Sequence, residues 1–419
     1  MPEPALEPAR EQVKTAEPAY LTALQVADLL QVDEKTVLRA GFGTTIVPFP
    51  DNRYAYNFPV KQTNVTTAPN SFAPAGKMQN GFGPPDFFPI PTSGVVDANI
   101  PQLRNAQLFF VQPDLKEAKL HSWNVAFQRQ LPWNLVAEAA YVGNVGRGII
   151  LPDYNINAGQ VLGADRDGQP YNALYGRTAE VRSWLPTNTH YNALQVKLDR
   201  RFRNGFLLNT SYTLSRAINY SEETDVDTPA DLERSKGRAG FDRTHAFAAS
   251  FIWDTPFFKD SKTALHWVLG GWQVGGIFSA YSGRPVNFTA PGATLRAPDN
   301  TQRPDLNGEP EVFGDIGPGK RYFDTSVFSA PGQNTWGNLT RNASINGPGF
   351  WDVDLSLVKR FRFGDRISTE LRVDAFNAFN HPNFGRPNGA FGGSTFGQVT
   401  GMDDSYIPRL VRFGLRVIF

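Results

Sequence analysis

The last nine residues constrain this chain more than any other feature. In Val411-Arg412-Phe413-Gly414-Leu415-Arg416-Val417-Ile418-Phe419 every odd position is apolar, and the alternates include Arg412, Gly414 and Arg416. Successive strand side chains point to opposite faces, so a strand here carries one apolar and one polar face. In a chain that is 41% hydrophobic, such alternation arises by chance in roughly one window in a hundred. Two kinds of sheet use a strand of this type: the edge of a soluble sandwich, and a membrane-spanning barrel that shows lipid on every second residue.

The pattern recurs upstream. Ile367, Thr369, Leu371, Val373 and Ala375 alternate with Arg366, Ser368, Glu370, Arg372 and Asp374. Phe206, Leu208, Thr210, Tyr212 and Leu214 alternate with Asn209, Ser211, Thr213 and Ser215, and similar runs surround Val353 and Val196. Charges on the second face do not fit a sandwich core, but they suit solvent or a wet lumen. The expectation is therefore that Asn209, Glu370, Arg372 and Asp374 face a lumen. Leu208, Tyr212, Leu371, Val373, Phe413, Leu415 and Val417 would face lipid. A terminal strand ending on an aromatic residue also matches the assembly signal of bacterial outer-membrane barrels, which assigns that role to Phe413, Leu415, Val417 and Phe419. Trp123, Trp133, Tyr141, Tyr212, Trp253, Trp267, Trp272 and Tyr281 fall near strand ends. An interfacial girdle explains them, and an aromatic-rich sandwich core is the alternative.

Connection lengths separate the two folds further. Read backward from the C-terminus, long and short connections alternate strictly. Tight turns are expected at Phe363-Gly364-Asp365, Arg203-Asn204-Gly205 and 130–134, a moderate one at 254–267, and long connections at 377–405, 283–349, 220–240 and 145–189. A bilayer imposes that order on an up-and-down barrel, with short periplasmic turns and long outer loops, whereas a Greek-key sandwich does not. The parity leads back to a first upward strand at 37–46, and Tyr54–Tyr56 adds a hairpin without changing it. The expected fold is all-β: an antiparallel up-and-down transmembrane β-barrel segment of about ten strands, preceded by a short N-terminal helix.

Other classes find little support. The longest apolar stretches, such as 246–253, fall short of the ~18–20 residues of a spanning helix. Lys and Arg number 41 against 40 Asp and Glu, which argues against a chain-wide nucleic-acid surface. Cysteine is absent, so neither disulfides nor thiolate metal sites form. His121, His190, His245, His266 and His381 are scattered, with none at ligand spacing. The acidic stretch Glu222-Glu223-Thr224-Asp225-Val226-Asp227 lacks the Gly and terminal Glu of a calcium loop and reads as a solvated outer loop. No nucleophile elbow, phosphate loop or dinucleotide fingerprint occurs. The expectation is no enzyme, no cofactor and no metal. Gly270-Gly271 and Gly275-Gly276 lie in a strand pattern and suit bends or bulges. Residues 1–17 carry four Glu and no apolar core, so they do not read as a signal peptide.

Several segments together resemble a family. They are His121-Ser122-Trp123-Asn124-Val125 with Ala139-Ala140-Tyr141-Val142-Gly143, Ser211-Tyr212-Thr213-Leu214-Ser215-Arg216, Phe241-Asp242-Arg243-Thr244-His245-Ala246-Phe247, Gly283-Arg284-Pro285, and the most specific run, Arg372-Val373-Asp374-Ala375-Phe376-Asn377-Ala378-Phe379-Asn380-His381-Pro382-Asn383-Phe384-Gly385. In this order they resemble Oar-like TonB-dependent receptors over residues 35–419. The resemblance implies an outer-membrane transporter of about 22 strands around an N-terminal plug, energised through TonB by a short N-terminal box. This sequence shows neither plug nor box and about half the strands, so the expectation is the C-terminal half of such a barrel, an open half-barrel.

The chain divides into residues 1–35 and 36–419. Residues 20–37 resemble the opening of an excisionase-like helix-turn-helix, with Thr22 as cap and Val26, Leu29 and Leu30 as the apolar face. A fused relic, a short amphipathic helix and a disordered leader all remain open there. No recognition helix follows, so DNA binding is not expected. The implied partners are outer-membrane lipid, the barrel assembly machinery and, only if a plug is supplied, TonB. The implied function is ligand uptake when the barrel is complete. The alternative is a non-transporting surface or structural protein, or a non-functional fragment. A plug encoded immediately upstream would favour the first.

Overall fold

The computed structural model describes residues 35–49, 67–77, 79, 108–222, 226–258, 264–342, 344–363 and 367–419. Residues 1–34, the Tyr54–Tyr56 hairpin, and Gly364 and Asp365 of the expected last tight turn lie outside them. Ten strands form the continuous path of a twelve-stranded sheet: β1 (Thr36–Val47), β2 (Ala118–Gln130), β3 (Leu135–Asn155), β4 (Val181–Arg203), β5 (Phe206–Asn219), β6 (His245–Asp254), β7 (Trp272–Tyr281), β8 (Phe350–Phe363), β9 (Ile367–Phe376) and β10 (Leu410–Ile418), while two short strands off that path, Leu108–Phe110 and Gly237–Arg238, pair with β4 and β5. Each of the ten bonds antiparallel to its neighbours on the path, without a crossover. β1 and β10 do not pair with each other, so the sheet is open. The chain is an open all-β barrel segment, as its periodicity predicts.

Register turns the one-strand alternation into two continuous faces. Leu371 stands opposite Leu415 and Val373 opposite Phe413, while Glu370 faces Arg416 and Asp374 faces Arg412. Leu208, Phe251, Gly276, Leu355, Ala375 and Val411 form one row of the apolar face. The neighbouring row of the other face holds Asn209, Ser250, Ile277 and Asp354. Two glycines of the apolar face are spaces for a ring: a Cβ on Gly143 would lie 2.5 Å from the Trp123 indole, and one on Gly276 would lie 2.6 Å from Phe251. An aromatic lying flat over a cross-strand glycine is a known way to fix sheet register. Gly275 and Gly276 thus sit in β7, whereas Gly270 and Gly271 precede it, with Gly271 at a φ of 67°.

At one end the connections are tight, except that between β6 and β7, which carries a short helix. Asn204 and Gly205 take φ of 53° and 76°, the two positive values a type I′ hairpin requires. At the other end the structure departs from the sequence reading. Both ends of the connection expected at 145–189 are strand, because β3 runs 21 residues to Asn155 and β4 runs 23 from Val181. Register shifts between Gly146 and Ile149 and between Leu151 and Tyr154 mark bulges. Gly146 and Gly148 therefore bend a strand that continues rather than end it. Even tilted by about 45°, a strand of that length outruns a hydrocarbon core of about 30 Å.

The packed core lies outside the sheet. The connections 282–349 and 377–409 fold together around Val286, Phe288, Phe323, Phe328, Leu339, Ile345 and Phe396. Phe288 meets Phe328 at 4.9 Å between centroids, and Phe396 crosses Phe323 edge-on at 5.6 Å. A two-stranded ribbon, Asp305–Leu306 with Phe328–Ser329, belongs to this layer.

Candidate functional site: the polar face and the outer loop layer

Asn209, Glu370, Arg372 and Asp374 share one face of the sheet by register. Arg372 donates to Asp374 at 2.8 Å, Arg360 to Glu370 at 2.9 Å, and Gln273 to Asp254 at 2.6 Å. On the far strands Glu138 pairs with Arg39 of β1 and, at 3.7 Å, with Lys197 of β4. A groove of about 560 Å³ runs over this face past Asn209, Ser250, Asp354, Ser356, Arg372 and Asp374. Neighbouring charges of opposite sign neutralise one another across strands, which suits a wetted surface and not a catalytic cluster. No group of three metal-ligating side chains occurs among the described residues.

Phe413, Leu415 and Val417 lie exposed on the apolar face of β10, and Phe419 stands exposed just beyond it. Trp123, Tyr141, Tyr212, Trp253 and Trp272 share the apolar face, while Trp133 sits in a tight turn. Tyr281 departs from the girdle reading. It follows Ile277 and Ser279 in parity, on the polar face, with the Arg243 guanidinium 5.3 Å from its ring. The parity of Phe278 and Ala280 carried that signal.

The loop layer holds functional-looking residues that the sequence reading missed or placed in solvent. Glu222 and Asp227 of the acidic stretch pair with Arg341 and Arg303, so these two residues anchor the stretch and are not merely solvated. Arg341 also donates to the Asn219 and Ser235 carbonyls, both at 3.1 Å. Arg303 donates to Asn287 Oδ1 and to the Phe288 carbonyl, each at 2.6 Å. Burial pulls the Arg303 pKa down, while Asp227 opposes the fall. Asp403 joins two segments, accepting from Arg243 at 3.4 Å and Arg284 at 3.2 Å. Burial alone would raise its pKa, but the Ser405 N–H, Arg284 and Arg243 outweigh that and hold it below the ordinary value.

The long signature run proves to be a clasp. Asn377, at a φ of 44°, accepts from the His381 N–H and donates to the Ile407 carbonyl. Asn383 makes two bonds of 2.9 Å to the Trp351 backbone, imitating a strand partner at the start of β8. Asp242 of the Phe241-Asp242-Arg243 motif accepts from the Ala217 N–H and from Arg238. Polar residues buried at strand ends, with partners far away in sequence, are what these motifs encode.

Ten antiparallel strands in an open meander, with apolar and polar faces and long connections at one end, define a segment of an outer-membrane β-barrel. The chain belongs to the outer membrane beta barrel domain family, whose model matches residues 29–412, and its place is the outer membrane. No curated protein matches it in sequence. Among solved structures it is similar to the outer membrane transporter YddB from Escherichia coli, with 8% identity, 75% of this chain and 34% of that one covered, and a TM-score of 0.42. FpvA of Pseudomonas aeruginosa bound to heterologous pyoverdines matches at 11% identity over 92% and 31%, with a TM-score of 0.40. The ferric-catecholate import receptor Fiu from E. coli K12 matches at 11% over 92% and 33%, with a TM-score of 0.39. The chain spans about a third of the length of these solved chains.

Proposed function

We propose that the chain is part of the wall of a TonB-dependent receptor barrel of the Oar-like type, taking part in ligand uptake when further strands and a plug complete it. Its apolar face meets lipid, its polar face lines the lumen, and its loop layer covers the outer mouth. The observation that carries this reading is the partition of chemistry between the two faces. Ion-paired charges run from Arg39 to Asp374 on one, while Phe42, Leu194, Leu371 and Phe413 stand exposed on the other. Single-cysteine variants in outer membranes test it. Asn209→Cys and Ser250→Cys should react with a water-soluble thiol reagent, and Leu208→Cys and Leu371→Cys should resist. Equal labelling of both faces would refute the assignment. Uptake is tested by deleting the gene in its host: the resulting growth defect should match that of a TonB deletion and should not add to it. The need for further strands is tested by heating the expressed chain in detergent. A compact monomer that holds until boiled would show that ten strands close unaided.

A further inference from the structure

The connection from β6 to β7 lies at the tight-turn end and is longer than its neighbours there. Its final part is a short helix, Ala264–Leu269. Trp267, Val268 and Leu269 are 45%, 64% and 44% exposed, an unusual display for three consecutive apolar residues in water. The helix does not hang below the sheet. The Trp267 indole stacks on Phe361 at 6.1 Å and meets Phe363 at a tilt at 5.4 Å, both on the apolar face of β8. The Trp272 indole N–H donates to the Val268 carbonyl at 2.8 Å, fixing the helix end to β7. Lys359, opposite Leu371 on that same apolar face, folds back beneath. Its ammonium is bonded to the Gly270 carbonyl and lies 5.3 Å and 5.1 Å from the rings of Trp272 and Phe361. A cation enclosed by rings and a carbonyl is held in place by cation–π attraction, so the lysine staples the helix to the wall and takes no other ligand. Just past the end of the neighbouring β6, exposed Phe257 meets Trp253 of the apolar face edge-on.

We propose that this segment is a membrane foot: the helix lies in the headgroup–acyl boundary of the leaflet at the tight-turn end, and its occupant is phospholipid. The argument is continuity, because Trp267 joins the apolar face of the wall at Phe361 and Phe363 and the patch is rich in the indole and phenyl groups that favour that depth. The inference rests on the apolar face meeting lipid, and its test separates the two claims. The chain has no cysteine, so Val268→Cys, Leu371→Cys and Asn204→Cys each take one nitroxide label. The label positions are exposed, with Val268 and Leu371 among the large exposed apolar residues, so little packing is disturbed. With the protein in phosphatidylethanolamine–phosphatidylglycerol vesicles, relaxation by oxygen is compared with relaxation by a water-soluble nickel chelate. Val268 should follow Leu371 in favouring oxygen several-fold, while Asn204 in the turn favours nickel. Nickel preference at Val268 with oxygen preference at Leu371 would overturn the foot and leave the patch to a periplasmic protein. Nickel preference at Leu371 would overturn the wall itself. As a second readout, Trp267→Phe should lose part of the quenching by lipids brominated near the headgroup, and unchanged quenching would contradict the foot.

Discussion

Replacing Arg303 by methionine should loosen the outer loop layer and leave the sheet intact. The guanidinium is 2% exposed and reaches Asp227, Asn287 Oδ1 and the Phe288 carbonyl. Methionine is close enough in volume that the cavity left is small. What remains is electrostatic: a carbonyl and an amide oxygen lose their donor, and Asp227 loses its partner. Removing one member of a buried pair costs about 3–5 kcal/mol. Asp227 is 25% exposed, so water recovers part of that, and the expected loss is about 3 kcal/mol. At about 1.4 kcal/mol per decade, the open population of the layer rises roughly 100-fold. Native-state hydrogen exchange reads this directly, because local openings report their own free energy. Peptides from 282–342 and 377–409 should exchange about 100-fold faster in R303M, with β8 and β9 unchanged. The double variant R303M with Asp227→Leu should recover much of the loss, since an apolar pair is a sound substitute for a buried ionic one. Arg296→Met removes a surface pair with Asp165 and should change nothing measurable. Protection in R303M within about fivefold of the parent, near 1 kcal/mol, would refute the claim that this arginine holds the layer together.

Leu371 sits at the centre of β9 on the apolar face. Leu371→Arg should cost about 2–4 kcal/mol in urea titrations in phospholipid vesicles, whereas Arg372→Ala, half exposed on the polar face, should cost under about 1 kcal/mol. Phe288 is fully buried against three other rings of the layer, Phe323, Phe328 and Phe396, so Phe288→Ala should cost about 3–5 kcal/mol. Limited proteolysis should then cut 282–349 while the strands survive. For Asp403 the folded pKa lies below the unfolded one, so its contribution is complete above about pH 4 and fades as pH falls through the lowered value. Exchange around 401–407 should be slow at pH 7 and 5 and disproportionately fast at pH 3, after correction for intrinsic rates. Asp403→Asn should be open at all three, and a variant that keeps the same pH profile would assign the effect elsewhere.

The sheet was legible because every second residue answers to a different solvent. Leu371, Val373, Leu415 and Phe413 could be placed on one face from period two alone, and register bears that out. Asn204-Gly205 announced its own turn through the only residue types that favour two positive φ values. The failures share a physical cause, which is dependence on distant residues. Residues 145–155 read as part of a long connection because nothing local says that Thr189 waits opposite Gly146 and Thr187 opposite Ile149. The acidic stretch read as solvated because Arg303 and Arg341 lie 76 and 119 positions away from their partners. The loop core was invisible because Phe288, Phe323, Phe328 and Phe396 come from segments of Pro, Gly and Asn with no period at all. The foot escaped because a six-residue helix has too few turns to show one.

The two parts of the molecule answer to different solvents, and that fixes how they divide the labour. Within the strands the buried apolar residues are mostly small, such as Ala126, Ala140, Ala193 and Ala217, while Phe42, Leu355, Leu371 and Phe413 stand open. Such a sheet gains little from its own packing. On the function proposed above it is stabilised by ladder hydrogen bonds that lipid cannot replace, and by apolar side chains that lipid solvates. The loop layer works as a soluble domain does: rings packed on rings, with buried arginines satisfied by carbonyls and carboxylates. Its stability therefore responds to pH, salt and single core substitutions, while that of the sheet responds to lipid and to strand pairing. On the function proposed above, a wall insensitive to what happens in the loop layer, and a loop layer that loosens without disturbing the wall, follow from that division.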